Sequence, residues 1–295
     1  MDISDKKLLV TGVTGTLGER AAKKFLEEGA TVIGLIRDRR NASKLIGLGI
    51  NPVLGDLANK DSLVDVTENI DIIVHCAAYF GDELDEAIRS NITGVENIAS
   101  VAKKSDVKKF IHISTTSVYG EPEDGFIEET SPIAVDHEEV YIHTKVRSEQ
   151  ILNYYIGRGL DVTILRPGAI CAEENSYWGD RQITRMLESN TVNWVHPDDL
   201  VPWIHADNLV EMIGLVIKSG SIGEIYNAID GNYAEETFRV RLVSALKKKL
   251  VVPDRLIDRP IYSNSRIIEL GYTPIKSFEQ TISNLEKIAV SRLKG

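Results

Sequence analysis

Tyr141 and Lys145 stand in the run Tyr141-Ile142-His143-Thr144-Lys145. On a helix, the spacing Tyr-x-x-x-Lys puts both side chains on one face. A free phenol ionises near pH ~10, too high for a base at neutral pH, and a nearby ammonium favours the phenolate. Tyr141 beside Lys145 is therefore suited to take a proton from a substrate hydroxyl or to return one. Upstream, Ser114-Thr115-Thr116-Ser117-Val118-Tyr119-Gly120 offers hydroxyls to orient the substrate oxygen. His143 lies between the pair and points elsewhere on the helix. Glu149, one turn beyond Lys145, is expected to pair with a neighbouring cation.

Such a pair acts only if the fold carries it to a ligand. The stretch Lys7-Leu8-Leu9-Val10-Thr11-Gly12-Val13-Thr14-Gly15-Thr16-Leu17-Gly18 reads as an apolar strand, a glycine turn and a helix start. The helix continues through Ala21, Ala22, Phe25 and Leu26. Its free N–H groups and dipole aim at the turn, which makes a seat for a diphosphate. The glycine spacing is G-x-x-G-x-x-G rather than G-x-G-x-x-G. Further strands are expected at 31–36, 52–54, 70–75, 109–113 and 162–166, alternating with helices, the longest at 83–103 and 140–155. That alternation predicts a parallel sheet with helices on both faces. Ligands of such sheets sit at the carboxyl ends of the strands, and each candidate residue falls at such an end.

A chain of 295 residues, 43% apolar and 26% charged, is long enough to bury a substantial core. Its net charge of −10 argues against a broad nucleic-acid surface or contact with an anionic membrane. The first seven residues lack the apolar core of a signal peptide, and no apolar run is long enough to span a bilayer. Cys76 and Cys171 are the only cysteines. In the expected strand order they stand roughly 10 Å apart, beyond the about 7 Å reach of a disulfide. Free thiols fit a cytoplasmic location. The six histidines show no zinc-site spacing; His75 reads as a structural residue.

Thr11-Gly12-Val13-Thr14-Gly15-Thr16-Leu17-Gly18 resembles the opening of the extended short-chain dehydrogenase/reductases, which include NAD(P)-dependent epimerases and dehydratases. Asn91-Ile92-Thr93-Gly94, Ser114-Thr115-Thr116-Ser117-Val118-Tyr119-Gly120, Leu165-Arg166-Pro167-Gly168-Ala169-Ile170 and Leu270-Gly271-Tyr272-Thr273-Pro274 resemble further motifs of that family. The resemblance implies an α/β fold, a doubly wound parallel Rossmann sheet with a small C-terminal α/β substrate lobe. The dinucleotide-binding domain is expected over 1–170, with segments returning near 200–230, and the lobe over 171–295. It implies cofactor contacts from Gly12, Thr14, Gly15, Thr16, Leu17 and Gly18. Others come from Asp56 and Leu57 at the third strand's end, Ala77 and Ala78 at the fourth, Pro167 and Ile170 past the sixth, and Lys145. Asn91 braces the active-site loop. Asp56 meets the adenine amino group, although Asp also favours a helix N-cap there. At the second strand's end Ile36 fills the place of the acidic residue of NAD-preferring members, and Arg37 follows. A guanidinium suits a 2′-phosphate, so NADP is implied, with NAD kept open by Asp38. The motif makes Thr115 the catalytic hydroxyl, with Ser114 as the alternative, beside Tyr141 and Lys145; the nicotinamide cation adds to the pull of Lys145 on the phenol.

Tyr79, Phe80, Trp178, Arg181 and Trp203 are candidates for the substrate pocket, with Thr115. Asp207, in Trp203-Ile204-His205-Ala206-Asp207, is expected to cap a helix over 208–217. The R-x-x-N-x-Y-G-P of sugar-nucleotide epimerases is missing after the sixth strand, and the connection 247–263, after an expected helix over 235–248, looks short. The nearest wording is that of the dihydroflavonol reductase and hydroxysteroid dehydrogenase branch. The expectation is an NADP-dependent reductase or dehydrogenase acting on a small molecule with a carbonyl or secondary alcohol. A sugar-nucleotide epimerase or dehydratase is the alternative, and a cofactor-binding regulator without chemistry a third. Family members often dimerise through the helices at 83–103 and 140–155.

Overall fold

The computed structural model describes residues 2–120, 125–254 and 260–294. Seven strands form one sheet: β1 (Lys7–Thr11), β2 (Thr31–Ile36), β3 (Asn51–Leu54), β4 (Ile72–His75), β5 (Lys109–Ile113), β6 (Val162–Pro167) and β7 (Ile225–Ala228). Their order is β7-β6-β5-β4-β1-β2-β3, and the pairings from β6 to β3 are parallel. β4 and β5 are buried at every residue, which is why both lack a polar alternation. Leu9, Ile73, Phe110 and Ile164 from the strands share a core with Val95, Ile98, Ala99 and Leu152 from the helices. Each of these side chains other than Ala99, fully buried, contributes about 1.5–3 kcal/mol. The order reverses between β1 and β4, where a doubly wound sheet opens its ligand crevice.

The chain divides into two compact units. The first holds residues 1–120, 131–166 and 212–226, and the second 121–130, 167–211 and 227–295. The second unit has a three-stranded sheet, Gly231–Ala234 beside Leu200–His205 beside Ala169–Cys171. Its core gathers Trp203, Phe238, Leu242, Phe278 and Ile282. The helix Ala206–Ser219 starts in the second unit and ends in the first. No helix among the described residues is long and apolar enough to cross a membrane.

Several local expectations change. The helix expected at 83–103 is a short turn Leu84–Ala87, a widened π-turn Ile88–Thr93 and a regular helix Gly94–Lys104. Such a bulge marks a place where a side chain must leave the regular ladder, and Asn91 sits in it. The helix expected at 235–248 is a turn Glu235–Thr237 followed by Arg239–Ala245. The helix expected at 208–217 starts at Ala206, so Asp207 lies in its first turn rather than at its cap. His205 does the capping instead: its Nδ1 accepts the Asp207 N–H at 3.0 Å. Part of the connection 247–263, namely 255–259, lies outside the described residues.

Candidate active site

The strand ends of the first unit border a cleft of about 370 Å³, lined by the glycine turn and by Arg37, Asp56, Ala77, Phe80 and Arg89 among others. The glycines are required by close approach. Gly12 has φ +64°, and a Cβ there would fall 2.8 Å from the Ala77 nitrogen. At Gly18 a Cβ would fall 2.3 Å from the Gly12 carbonyl oxygen. Gly15 precedes the helix Thr16–Glu27, whose first N–H groups receive no side-chain cap. N–H donors at a helix start beside a glycine-rich turn fit a diphosphate. Thr14 and Gly15 are exposed and Thr16 half-buried, whereas Leu17 is packed into the core.

At the β2 end Arg37 is exposed and has no hydrogen bond or ion pair among the described residues. Asp38 is occupied: it accepts from the Arg40 backbone N–H at 2.9 Å and from Arg40 Nε at 2.6 Å. At the β3 end Asp56 Oδ1 accepts the Ala58 N–H at 3.0 Å, and Oδ2 accepts from Arg89 Nη2 at 2.6 Å. Leu57, Ala77 and Ala78 are half-buried along the same cleft. Asn91 Oδ1 accepts the Tyr79 N–H at 2.8 Å and Asn91 Nδ2 donates to the Tyr79 carbonyl at 2.9 Å. A third bond, from Nδ2 to Thr144 Oγ1 at 3.1 Å, ties this loop to the helix Val140–Ile156.

That helix carries Tyr141 and Lys145. Tyr141 is half-buried as a residue, yet desolvation pushes its phenol well above the usual tyrosine range. A hydrogen bond with Thr115 pulls the other way. Lys145, only 2% exposed, donates from Nζ to the Ile113 carbonyl at 2.7 Å and lies 3.3 Å from His112 Nε2. Burial brings its ammonium down to about 8, against the upward pull of Glu149 and Cys76. The expectation that Lys145 lowers the phenol is thus corrected: burial dominates Tyr141, and the ammonium is engaged with β5. Phe80, 72% exposed, has its ring 5.2 Å from that of Tyr141.

The loop carrying Thr115 is held from below. Ser114 Oγ donates to Glu149 Oε1 at 2.5 Å, and Arg166 donates to both Glu149 oxygens, at 3.1 and 2.7 Å. Arg166 Nη1 also donates to the Tyr119 hydroxyl at 2.8 Å. Ser114 is taken up in this bracing, while Thr115 Oγ1 accepts the Ser117 N–H at 3.1 Å and donates to Ser117 Oγ at 3.2 Å. The sequence profile of the NAD dependent epimerase/dehydratase family matches residues 8–228, a span that contains the glycine turn, this loop and the Tyr-x-x-x-Lys pair.

The chain belongs to the NAD dependent epimerase/dehydratase family. It is 28% identical over 321 aligned positions to the dTDP-glucose 4,6-dehydratase of Streptomyces antibioticus, covering 94% of this chain and 90% of that protein. It is 26% identical over 229 positions to the 4-hydroxy-2-methyl-3-oxo-4-farnesyl-3,4-dihydroquinoline-1-oxide ketoreductase of Stigmatella aurantiaca, covering 76% of this chain and 68% of that protein. Two other relatives are matched over only 51% and 37% of their own length. Among solved structures, DesIV, a dTDP-glucose 4,6-dehydratase from Streptomyces venezuelae with NAD and TYD bound, aligns with a TM-score of 0.82 at 24% identity, covering 95% of this chain and 96% of that one. That likeness is one of fold. The family makes the chain an NAD(P)-dependent enzyme of the extended short-chain type.

In this family member the remaining candidates, Tyr79 apart, lie in the second unit. Pro167 ends β6 and Ile170 is half-buried on Ala169–Cys171. Arg181 is exposed and without a side-chain partner among the described residues. Trp178 is half-buried with the Arg239 guanidinium 4.8 Å over its ring. Trp203 is corrected: it is 0% exposed, edge-on to Phe278 at 5.0 Å, and belongs to the core rather than to a pocket. Tyr79 is half-buried and held through its backbone. Sequence reasoning missed Arg89, Thr11 and His112. Nothing local marks them; Thr11 and His112 become visible only when the parallel register sets β1, β4 and β5 side by side, and Arg89 only when the turn Ile88–Thr93 brings it to Asp56.

Proposed function

We propose that this enzyme is an NADP-preferring reductase or dehydrogenase that interconverts a carbonyl and a secondary alcohol. When bound, the dinucleotide supplies or accepts the hydride. Its diphosphate is assigned to the turn Gly12–Gly18, its adenosine to Arg37, Asp56 and Leu57, and its nicotinamide end to Ala77, Ala78 and Lys145. Thr115 orients the substrate oxygen by hydrogen bonding, and Tyr141 gives that oxygen a proton or takes it back. The observation that carries this reading is the Thr115 hydroxyl beside the Tyr141 phenol, which burial pushes well above the usual tyrosine range. A protonated phenol can donate to the oxygen of a carbonyl substrate, and the phenolate takes the proton back in the reverse reaction. Arg37 without a counterion, next to an Asp38 already bonded to Arg40, supports the 2′-phosphate.

Substrate selection is assigned to Trp178 and Arg181 of the second unit. Two free thiols support a cytoplasmic setting. The outward-facing Tyr154, 53% exposed on the helix Val140–Ile156, supports a homodimer through that helix and its neighbour Gly94–Lys104. A second reading, a sugar-nucleotide dehydratase or epimerase, draws on the whole-length likeness to the Streptomyces antibioticus dehydratase. The missing R-x-x-N-x-Y-G-P weighs against it.

The test is turnover with NADPH against a panel of aldehydes and ketones, beside dTDP-glucose and UDP-glucose. Net oxidation of NADPH by a carbonyl compound is expected, falling about 10²–10⁴-fold in Tyr141→Phe with NADPH affinity unchanged. Conversion of a sugar nucleotide with no net change in free cofactor selects the second reading. Full activity of Tyr141→Phe removes Tyr141 from the chemistry.

A further inference from the structure

Beneath the reactive pair lies a set of buried side chains that the chemistry above leaves unused. His75 ends β4, and the parallel register places His112 of β5 opposite it. Both are buried, and their rings stack at 5.5 Å and 15°. Thr11 Oγ1 accepts the Ala77 N–H at 3.2 Å and lies 2.9 Å from His75 Nδ1. On the second ring, Nε2 is 3.3 Å from Lys145 Nζ and 3.3 Å from Ser148 Oγ, whose own proton goes to the Lys145 carbonyl at 2.7 Å. An ammonium only donates, so this Nε2 accepts from Lys145 and the His112 proton sits on Nδ1. His75 Nε2 and His112 Nδ1 have no hydrogen-bond partner among the described residues. Burying unpaired polar ring atoms costs stability. An apolar pair at these two positions would avoid that cost but could not accept from Lys145.

We propose that His112 is a positioning residue for Lys145. Its Nε2 and the Ile113 carbonyl form a two-acceptor seat that fixes the ammonium under the helix bearing Tyr141, with His75 stacked behind to hold the ring. The inference rests on the reading of Lys145 as part of the reactive set. The titratable groups facing Lys145 are Glu149 on its own helix, Cys76 past β4, His75 on β4 and His112 on β5. Burial, then the charge of Lys145, pushes His75 down to about 3 and holds His112 well below the usual histidine range. The neutral ring is the state the seat requires, because a protonated His112 has only donors to offer.

Two NMR measurements on the full-length protein test this. The first follows the ¹³Cε signal of Lys145, assigned by its loss in Lys145→Met, through a pH titration. In His112→Phe the midpoint is expected about one pH unit lower, because the ammonium loses an acceptor while staying desolvated. In His112→Gln, whose amide oxygen accepts, it returns toward the wild-type value. The second reads ¹⁵N-histidine spectra of the wild type, which are expected to show His112 neutral with its proton on Nδ1. An unchanged midpoint in His112→Phe, or a wild-type proton on Nε2, overturns the proposal. The wild-type spectrum decides if His112→Phe does not fold. Neither readout uses turnover, so an active Tyr141→Phe would sink the proposed function while leaving this result to stand or fall separately.

Discussion

The two ends of the first unit's strand edge are built from opposite materials. At the β2 and β3 ends, Arg37, Asp38, Arg40, Asp56 and Arg89 stand largely in solvent, paired through flexible side chains or unpaired. At the β5 and β6 ends, Glu149, Arg166, Ser114 and Lys145 are buried and bonded to one another or to backbone. Solvent screens the first set, so each exposed pair contributes about 0–1 kcal/mol. The second set is desolvated, and removing one member strands another's charge or bond. One end can discriminate between ligands without disturbing the fold; at the other, binding geometry and stability are inseparable.

Glu149→Ala is the strongest test of that contrast. It leaves the Arg166 guanidinium buried without its carboxylate and releases Ser114, and a loss of about 3–5 kcal/mol in urea unfolding is expected. A loss under about 1 kcal/mol would mean that this end is as loosely held as the other. Lys145→Met comes next. The fold lowers the Lys145 ammonium to about 8 from 10.5, so the unfolded chain binds the proton more tightly. The group's contribution to stability therefore rises with pH between these values. From pH 8 to 9.5 wild type is expected to gain about 1.5 kcal/mol relative to Lys145→Met, and parallel curves would remove the desolvated ammonium. The smallest effect belongs to the exposed end. Arg37→Ala is expected to lower the NADP-over-NAD affinity ratio about fivefold to tenfold at low salt, fading as salt rises, with unfolding unchanged. A ratio that does not move in a titration of both cofactors would take Arg37 out of the site.

Much of this architecture was legible in the residues themselves. Apolar runs such as Leu8-Leu9-Val10 and Ile72-Ile73-Val74 can only be buried strands, and the helices between them force parallel pairing. Gly12 and Gly18 announced a turn where backbone meets backbone, and Tyr141 and Lys145 could be paired because a helix repeats locally. The local rules failed where a partner came from far along the chain. Asp207 has the composition of a cap, yet His205 takes that role. Ser114 and Thr115 are chemically alike, and the placement of Glu149 against Ser114 gives them different partners.

The sequence by itself determined the strand order's raw material, the glycine turn and the pairing of Tyr141 with Lys145 on one helix, because each depends on neighbours within a few residues. The tertiary structure alone decided the electrostatics. It desolvated Tyr141 and Lys145, set His112 beneath the ammonium, closed Asp56 onto Arg89 and drew Trp203 into a core. Charge and burial depend on what lies across the sheet, and that distance in space has no counterpart in spacing along the chain.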